Sequence, residues 1–379
     1  MPRLPVLRVT TRRPITRRPI TRRPITRRPT VRRLASAALA ALWLGGACGG
    51  DDGGAGGAPD AATSAGGWTY HAIDGAACGN GSPWGVATSV QPGASEVVVF
   101  IAGGGACWDG DTCYVAGAAA HIAEDVGAAA VLAEARALEP WLFSRAPGVG
   151  PFPDASYLYI PYCTGDLHAG RRVAEHMTAG GPRTAHHVGG VNLDRLLDGW
   201  ADLLPEPDRL WLTGISAGGF GVTLNWWRFR ERFPGASAVH VVDDSGPAID
   251  VPPARFADWV EAWDLEQPPG CADCAEGFSR LLPHYSSAMP PGDRYAYLGF
   301  EGDGVIALYW GEGVDAIASK HAALRTTLAG DDRMAGFFLD GTEHVVLADP
   351  SRATSTGLTA AAWIAQFIAG SPDWTTAGP

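Results

Sequence analysis

Short, mostly apolar runs alternate with longer amphipathic stretches from Trp68 to the end of the chain. The apolar runs, which predict buried strands, are residues 96–101, 156–160, 208–213, 238–242, 294–298 and 335–339. The amphipathic stretches, which predict helices, are residues 192–204, 219–233, 254–263, 314–328 and 358–368. Apolar strands separated by helices are typical of a mostly parallel sheet that is covered on both faces. The pattern therefore predicts an α/β fold, with ligands bound at the carboxyl ends of the strands.

The first part of the chain lacks this alternation. Residues 1–47 combine an arginine- and proline-rich repeat with an apolar run at residues 34–47, which is typical of a secretory signal peptide. The run is too short for a transmembrane helix, which needs about 20 residues. The sequence is compatible with a translation start at Met1 and with one near Val31.

A cysteine follows the apolar run directly. Residues 44–48 (LGGAC) resemble a bacterial lipobox, so we expect lipidation of Cys48. The glycine-rich residues 48–67 predict a flexible tether. The sequence thus predicts an exported protein that is either anchored by lipid to the bacterial cell envelope or secreted.

The charged residues are distributed unevenly. Twelve of the 29 basic residues precede position 34, whereas none of the 40 acidic residues does. Residues 48–379 therefore carry 17 basic and 40 acidic groups, a net charge of −23. Such a surface repels nucleic acid and anionic membranes. We expect no nucleic-acid partner, membrane contact only through the lipid at Cys48, and a monomer.

If Cys48 is lipidated, six cysteines remain, and an even number in an exported chain favours disulfide bonds. Two pairs are close in sequence, Cys107 with Cys113 and Cys271 with Cys274, which leaves Cys78 for Cys163. The alternative is that Cys271 and Cys274 bind zinc. Because no second ligand pair with zinc spacing accompanies them, no metal is predicted.

A nucleophile elbow is predicted at residues 214–218. The sequence there is GISAG, between a predicted strand and a predicted helix, which is where this turn exposes a catalytic serine. Ser216 is the predicted nucleophile, and the amide of Ala217 can donate to an oxyanion. The glycine triplet after the strand at 96–101 predicts two further oxyanion donors, the amides of Gly104 and Gly105.

A serine hydroxyl needs a histidine as its base, and that histidine needs an acid to orient it. Four histidines follow the elbow in sequence. His240 lies in a predicted strand, His321 in a predicted helix, and His284 in a predicted loop beside a cysteine pair. His344 directly follows the last predicted strand, where the hydrolase chain order places the base.

Two carboxylates are candidates for the acid. Asp303 follows the strand that precedes the last one, which is the usual position of the acid. Asp244 follows the strand after the elbow, a position that other hydrolases use. We favour Asp303 and keep Asp244 as the alternative.

Four motifs taken together resemble the pectinacetylesterase family. They are GGGACW at 103–108, PYCTGDLH at 161–168, GISAGGFG at 214–221 and DSG at 244–246. The resemblance implies one α/β-hydrolase-like catalytic domain over residues 68–379. It also implies the catalytic residues Ser216, Asp303 and His344, with oxyanion amides at Gly104, Gly105 and Ala217.

The implied activity is hydrolysis of carboxylic esters through an acyl-enzyme, without a cofactor. We expect the substrate to be an acetylated polysaccharide or another molecule that carries a short acyl group. A fatty-acyl esterase of the Notum type is the alternative enzyme, and a non-catalytic surface-binding lipoprotein is the alternative outside enzymes. Five tryptophans could line the substrate pocket or belong to the core: Trp226, Trp227, Trp259, Trp263 and Trp310.

Overall fold

The computed structural model describes residues 67–379. The predicted signal peptide, the lipidation site Cys48 and all but the last residue of the tether lie outside the described residues. Among residues 67–379, none of the helices has both the length and the apolar character that crossing a bilayer requires.

Ten strands form a large sheet and a separate hairpin. The strands are β1 (Thr69–Ala77), β2 (Pro83–Ser89), β3 (Glu96–Ile101), β4 (Ser156–Ile160), β5 (Arg172–Thr178), β6 (Gly181–His187), β7 (Arg209–Ile215), β8 (Ala238–Asp244), β9 (Tyr295–Phe300) and β10 (Met334–Leu339). Eight of them form one sheet in the order β1-β2-β4-β3-β7-β8-β9-β10. The pairings from β4 to β10 are parallel, whereas β2 is antiparallel to both β1 and β4. Strands β5 and β6 form the separate antiparallel hairpin.

Nine α-helices connect or cover these strands in the described part of the chain. They are α1 (Gly110–Tyr114), α2 (Ala128–Ala137), α3 (Gly189–Asp198), α4 (Ala217–Arg232), α5 (Pro253–Trp263), α6 (Leu281–Ala288), α7 (Gly304–Trp310), α8 (Val314–Leu328) and α9 (Ala360–Ala369). Every residue of β4, β8, β9 and β10 is buried, as expected for strands that are covered on both faces. The predicted fold class, an α/β-hydrolase-like fold with a mostly parallel central sheet, is confirmed.

The predicted strands and helices lie within a few residues of the observed ones, but several elements were not predicted. The edge strand β1 has only two buried positions and contains Asp74 and Gly75, so it carries no continuous apolar signal. Half of the residues in strands β5 and β6 are exposed, so the hairpin carries no continuous apolar signal either. The loop predicted around His284 is wrong, because this histidine lies in α6. Pro283 is tolerated there because it lies in the first turn, where amides have no acceptor within the helix.

Three disulfide bonds are present within residues 67–379, and they join the pairs that the cysteine spacing indicates. Cys107 is bonded to Cys113, and Cys271 to Cys274. The third bond joins Cys78 to Cys163 across 85 positions of sequence. It fixes the end of the β1–β2 hairpin to the segment that follows β4, and a backbone hydrogen bond from Gly79 to Cys163 of 2.8 Å accompanies it.

Candidate active site

The turn at Ser216 has the strained geometry of a nucleophile elbow. Strand β7 ends at Ile215 and helix α4 begins at Ala217, so a single residue makes the turn. Ser216 has φ 54° and ψ −121°, in the region that residues with a side chain rarely adopt. A Cβ at Gly218 would lie 1.9 Å from the carbonyl oxygen of Ile101, so only glycine fits where the elbow crosses β3.

The glycine loop after β3 lies directly against this elbow. A Cβ at Gly103 would lie 2.9 Å from the Cβ of Ser216. Gly105 has φ +76°, a backbone conformation that favours glycine. Among residues 67–379, no acceptor binds the amides of Gly104 and Gly105. The amide of Ala217 opens α4 and therefore has no acceptor within the helix. Three unpaired amides thus lie on the elbow and the adjacent loop.

A buried polar network that the sequence analysis did not predict supports the glycine loop. His168 bonds through Nε2 to the carbonyl oxygen of Ala102 at 2.9 Å, and its own amide donates to Asp166 at 3.1 Å. Asp166 also accepts from Thr164 and from the amide of Gly189. Burial raises the pKa of Asp166 and lowers that of His168. Thr164, Asp166 and His168 all belong to the motif at 161–168, but the spacing of that motif does not show which loop the residues support.

Asp303 and His344 form the hydrogen-bonded pair that the sequence predicts. The Oδ1 atom of Asp303 accepts from the amides of Val305 and Ile306, which caps helix α7. Its Oδ2 atom is 2.7 Å from Nδ1 of His344. Asp303 is only 1% exposed, so both carboxylate oxygens are fixed by protein groups. In the part of the chain that the structure describes, Nε2 of His344 is buried and has no hydrogen-bond partner.

Asp244, the alternative acid, contacts the backbone of the histidine loop rather than the imidazole. Its carboxylate accepts from the amides of Val346 at 2.9 Å and Leu347 at 2.7 Å. Its carbonyl oxygen accepts from the amide of Ser216 at 2.8 Å. The neighbouring Ser245 hydroxyl donates to this carboxylate and accepts from the amide of Val345. Asp244 therefore ties the nucleophile turn to the loop that carries the histidine.

Burial raises the pKa of Asp244 to about 6, and the two amide hydrogen bonds oppose this shift. The adjacent Asp243 is also fully buried, and burial raises its pKa to about 7. Asp243 accepts from the hydroxyls of Thr223 and Tyr295 and does not contact the histidine loop. Both carboxylates thus have structural partners on the protein.

A narrow cavity opens beside Ser216. Its volume is about 20 Å³, which is room for about one water molecule. The side chains that line it are almost all apolar: Leu167, Phe220, Trp259, Val305, Ile306, Tyr309 and Trp310. Two of the five tryptophans that the sequence marked therefore line the cavity, Trp259 and Trp310. These two also belong to the buried core, together with Trp226 and Trp263, whereas Trp227 is partly buried and packs against the core.

A larger polar groove lies near this cavity. It has a volume of about 290 Å³, and its lining residues include Trp108, Arg172 and four acidic residues, Asp109, Glu175, Asp258 and Glu261. The ring of Trp108 packs against that of Trp259 at a centroid distance of 5.8 Å. Because Trp108 lines the groove and Trp259 lines the cavity, one aromatic contact separates the two spaces.

The site contains the groups that acyl transfer requires. A serine on a strained turn, unpaired amides beside it and an imidazole oriented by a carboxylate can together form and stabilise an oxyanion. Among the described residues, one group has the composition of a metal site, namely Cys107, Cys113 and His187. None of these three residues belongs to the site around Ser216.

The sequence model of the family described as Pectinacetylesterase matches residues 69–264. Two crystal structures of the Wnt deacylase Notum from Drosophila have a similar fold. The first has a TM-score of 0.59 and 17% identity, over 81% of this chain and 95% of that one. The second has a TM-score of 0.56 and 19% identity, over 79% and 93%. At these identities the likeness concerns the fold alone. No curated protein matches the sequence.

Proposed function

Because the chain belongs to the pectinacetylesterase family, we propose that it is a serine esterase that removes acetyl or other short acyl groups from a polysaccharide. The observation that carries this proposal is the hydrogen bond between Asp303 and Nδ1 of His344. Among the described residues no other group occupies Nε2 of the same imidazole, so its lone pair is available to accept the proton of Ser216.

In the proposed reaction, Ser216 attacks the ester carbonyl and His344 takes its proton at Nε2. Asp303 holds the imidazole in the tautomer that can accept this proton. The amides of Gly104, Gly105 and Ala217 bind the oxyanion of the tetrahedral intermediate. His344 then donates the proton to the departing alcohol. Water, activated by the same histidine, releases the acid from the acyl-enzyme.

The size of the cavity beside Ser216 supports a short acyl group. A volume of about 20 Å³ is enough for a methyl group, whereas a longer acyl chain would have to displace the side chains that line the cavity. The walls include Trp259 and Trp310, whose rings pack against each other at a centroid distance of 5.4 Å. This is the observation that favours acetyl esters over the fatty-acyl alternative.

The polar groove supports a sugar as the alcohol part of the substrate. Carboxylates accept hydrogen bonds from hydroxyl groups, so the acidic side chains that line the groove can bind the hydroxyls of a sugar. Four acidic side chains face one arginine there, Arg172. Because like charges repel, this lining favours a neutral polysaccharide over a polymer of uronic acids.

We also propose that the protein is exported and held at the cell envelope through Cys48. The three disulfide bonds support export, because such bonds persist in oxidising compartments. The residues that carry the signal and the lipobox precede the described part of the chain.

Labelling with a fluorophosphonate probe tests the proposed mechanism. We expect the wild-type protein to be labelled on one residue, Ser216, because only an activated serine reacts at a useful rate. Ser216→Ala is expected to remove the label. Ser287→Ala, which changes an exposed serine on α6, is the matched control and should leave labelling intact. An unlabelled wild-type protein would contradict the esterase proposal and support the non-catalytic alternative.

A series of nitrophenyl esters of increasing chain length tests the acyl preference. We expect kcat/KM to be highest for acetyl and to fall steeply at butyryl. Val305→Ala removes a side chain from the cavity wall and should raise the ratio of butyryl to acetyl activity by about 10-fold. Val314→Ala, an exposed change on α8, should leave the ratio unchanged. A wild-type optimum at eight or more carbons would overturn the short-acyl assignment in favour of a fatty-acyl esterase.

A further inference from the structure

Two cysteines and one histidine meet at the β5–β6 hairpin, outside the candidate active site, and a second histidine of the hairpin contacts the first. We call them the Cys–His cluster: Cys107, Cys113, His176 and His187. One ligand atom from each of Cys107, Cys113 and His187 lies within 4.8 Å of the others. The Nε2 atom of His176 is 2.9 Å from Nε2 of His187. All four side chains are at most 8% exposed, so water competes weakly for a bound ion.

We propose that the Cys–His cluster binds one zinc ion when its disulfide bond is reduced. Two thiolates and two imidazoles form one of the common tetrahedral donor sets for structural zinc. In the structure the two sulfur atoms are joined to each other, so neither is available as a thiolate. The disulfide and the zinc site are therefore mutually exclusive states of the same four residues.

The hydrogen bonds of His187 favour a metal ligand. Its Nδ1 atom is 2.8 Å from the carbonyl oxygen of Thr164, and a carbonyl can only accept, so Nδ1 carries the proton. The lone pair is consequently on Nε2, which accepts from Nε2 of His176. When zinc binds, this proton of His176 moves to its Nδ1 atom, and the freed Nε2 atom becomes the fourth ligand. A backbone carbonyl that fixes the tautomer in this way is the usual partner of a zinc-binding histidine.

Zinc binding requires an added reductant, which breaks the disulfide between Cys107 and Cys113. A dithiol or phosphine supplies two electrons to the Cys107–Cys113 bond, and two protons from water or thiol complete the two cysteine thiols. Zinc then displaces both thiol protons and binds the two thiolates. The sulfur atoms must separate to take two positions about 2.3 Å from the ion. Only six positions separate the cysteines, and Cys113 lies in the short helix α1, so the adjustment is local.

The chain contains a matched control for this proposal. Cys271 and Cys274 are also joined by a disulfide, and their C-x-x-C spacing is a common zinc motif. No histidine or carboxylate completes a metal site around them among the described residues. Reduction should therefore create one zinc site, at the pair with the less typical spacing.

The test is zinc binding by the purified full-length chain, oxidised or reduced by a phosphine, with bound zinc measured by mass spectrometry after desalting. We expect no zinc on the oxidised protein and one equivalent on the reduced protein. His187→Ala and Cys113→Ser should lose that equivalent, whereas the double variant Cys271→Ser with Cys274→Ser should retain it. The proposal would be overturned if the oxidised protein bound zinc. It would also be overturned if the double variant Cys271→Ser with Cys274→Ser lost the bound zinc.

Alkylation of the reduced wild-type chain gives a second readout that needs no variant. Zinc should protect Cys107 and Cys113 from iodoacetamide and leave Cys271 and Cys274 reactive. Equal protection of both pairs would indicate unspecific binding and contradict the proposal. A reduced chain that holds no zinc also contradicts it, whether or not near-ultraviolet circular dichroism shows a folded protein.

Discussion

Replacing Asp303 with asparagine is expected to lower kcat by about 10⁴-fold. The carbonyl oxygen of asparagine can still accept from the amides of Val305 and Ile306, so the cap of α7 is preserved. The new amide group would face Nδ1 of His344, where Oδ2 now accepts. Because both groups cannot donate, Nδ1 would lose its proton to Nε2, and a protonated Nε2 cannot act as a base.

The measurement is steady-state hydrolysis of nitrophenyl acetate, with the melting temperature recorded for each variant. Asp349→Asn is the matched control, since it changes an exposed aspartate that also accepts from a backbone amide. We expect it to retain full activity. An Asp303→Asn variant that keeps its fold and more than about a tenth of the wild-type rate would show that this carboxylate is not the acid.

The parallel core was predictable because its strands are apolar on both faces. Strands β9 and β10 have no exposed position, so their continuous apolar runs are visible in the sequence alone. Strand β1 and the β5–β6 hairpin are stabilised by cross-strand pairing on surfaces that are partly exposed. Their residues alternate irregularly between buried and exposed positions, so no local pattern distinguishes them from loops.

The candidate site was predictable as a set of positions but not as a set of contacts. Chain order was sufficient to select His344, because only one histidine after the elbow follows the last strand. It favoured Asp303 but did not exclude Asp244, because both follow strands at the same edge of the sheet. The choice depends on which carboxylate reaches the imidazole, and that is set by the length and path of two loops.

The Cys–His cluster shows the same limit of sequence reasoning. Its two cysteines are six positions apart, but His176 and His187 come from the two strands of a hairpin much later in the chain. No spacing rule connects residues that meet only through the hairpin. A local zinc motif exists only at Cys271 and Cys274, and no second ligand pair with zinc spacing accompanies it in the sequence.

Replacing Asp244 with asparagine is expected to lower kcat by up to about 10²-fold, much less than Asp303→Asn does. The wild-type carboxylate accepts from the amides of Val346 and Leu347, and asparagine offers only one acceptor atom to these two donors. The loop after His344 would shift, which misplaces the imidazole without removing it. Asp293→Asn is the matched control, because Asp293 is also buried and also accepts from a backbone amide, that of Val239. We expect this variant to keep the wild-type kcat.

The pH dependence of unfolding separates this positioning role from a general loss of stability. Burial raises the pKa of Asp244 in the folded protein to about 6, above its value of 3.8 in the unfolded chain. Between about pH 4 and pH 6 the folded state therefore binds more protons, so this residue's contribution to the free energy of unfolding falls as pH rises. An asparagine side chain does not titrate, so the Asp244→Asn variant should lack this decline while it remains slow at pH 8. A variant that is slower than Asp303→Asn would instead make Asp244 the acid that orients His344.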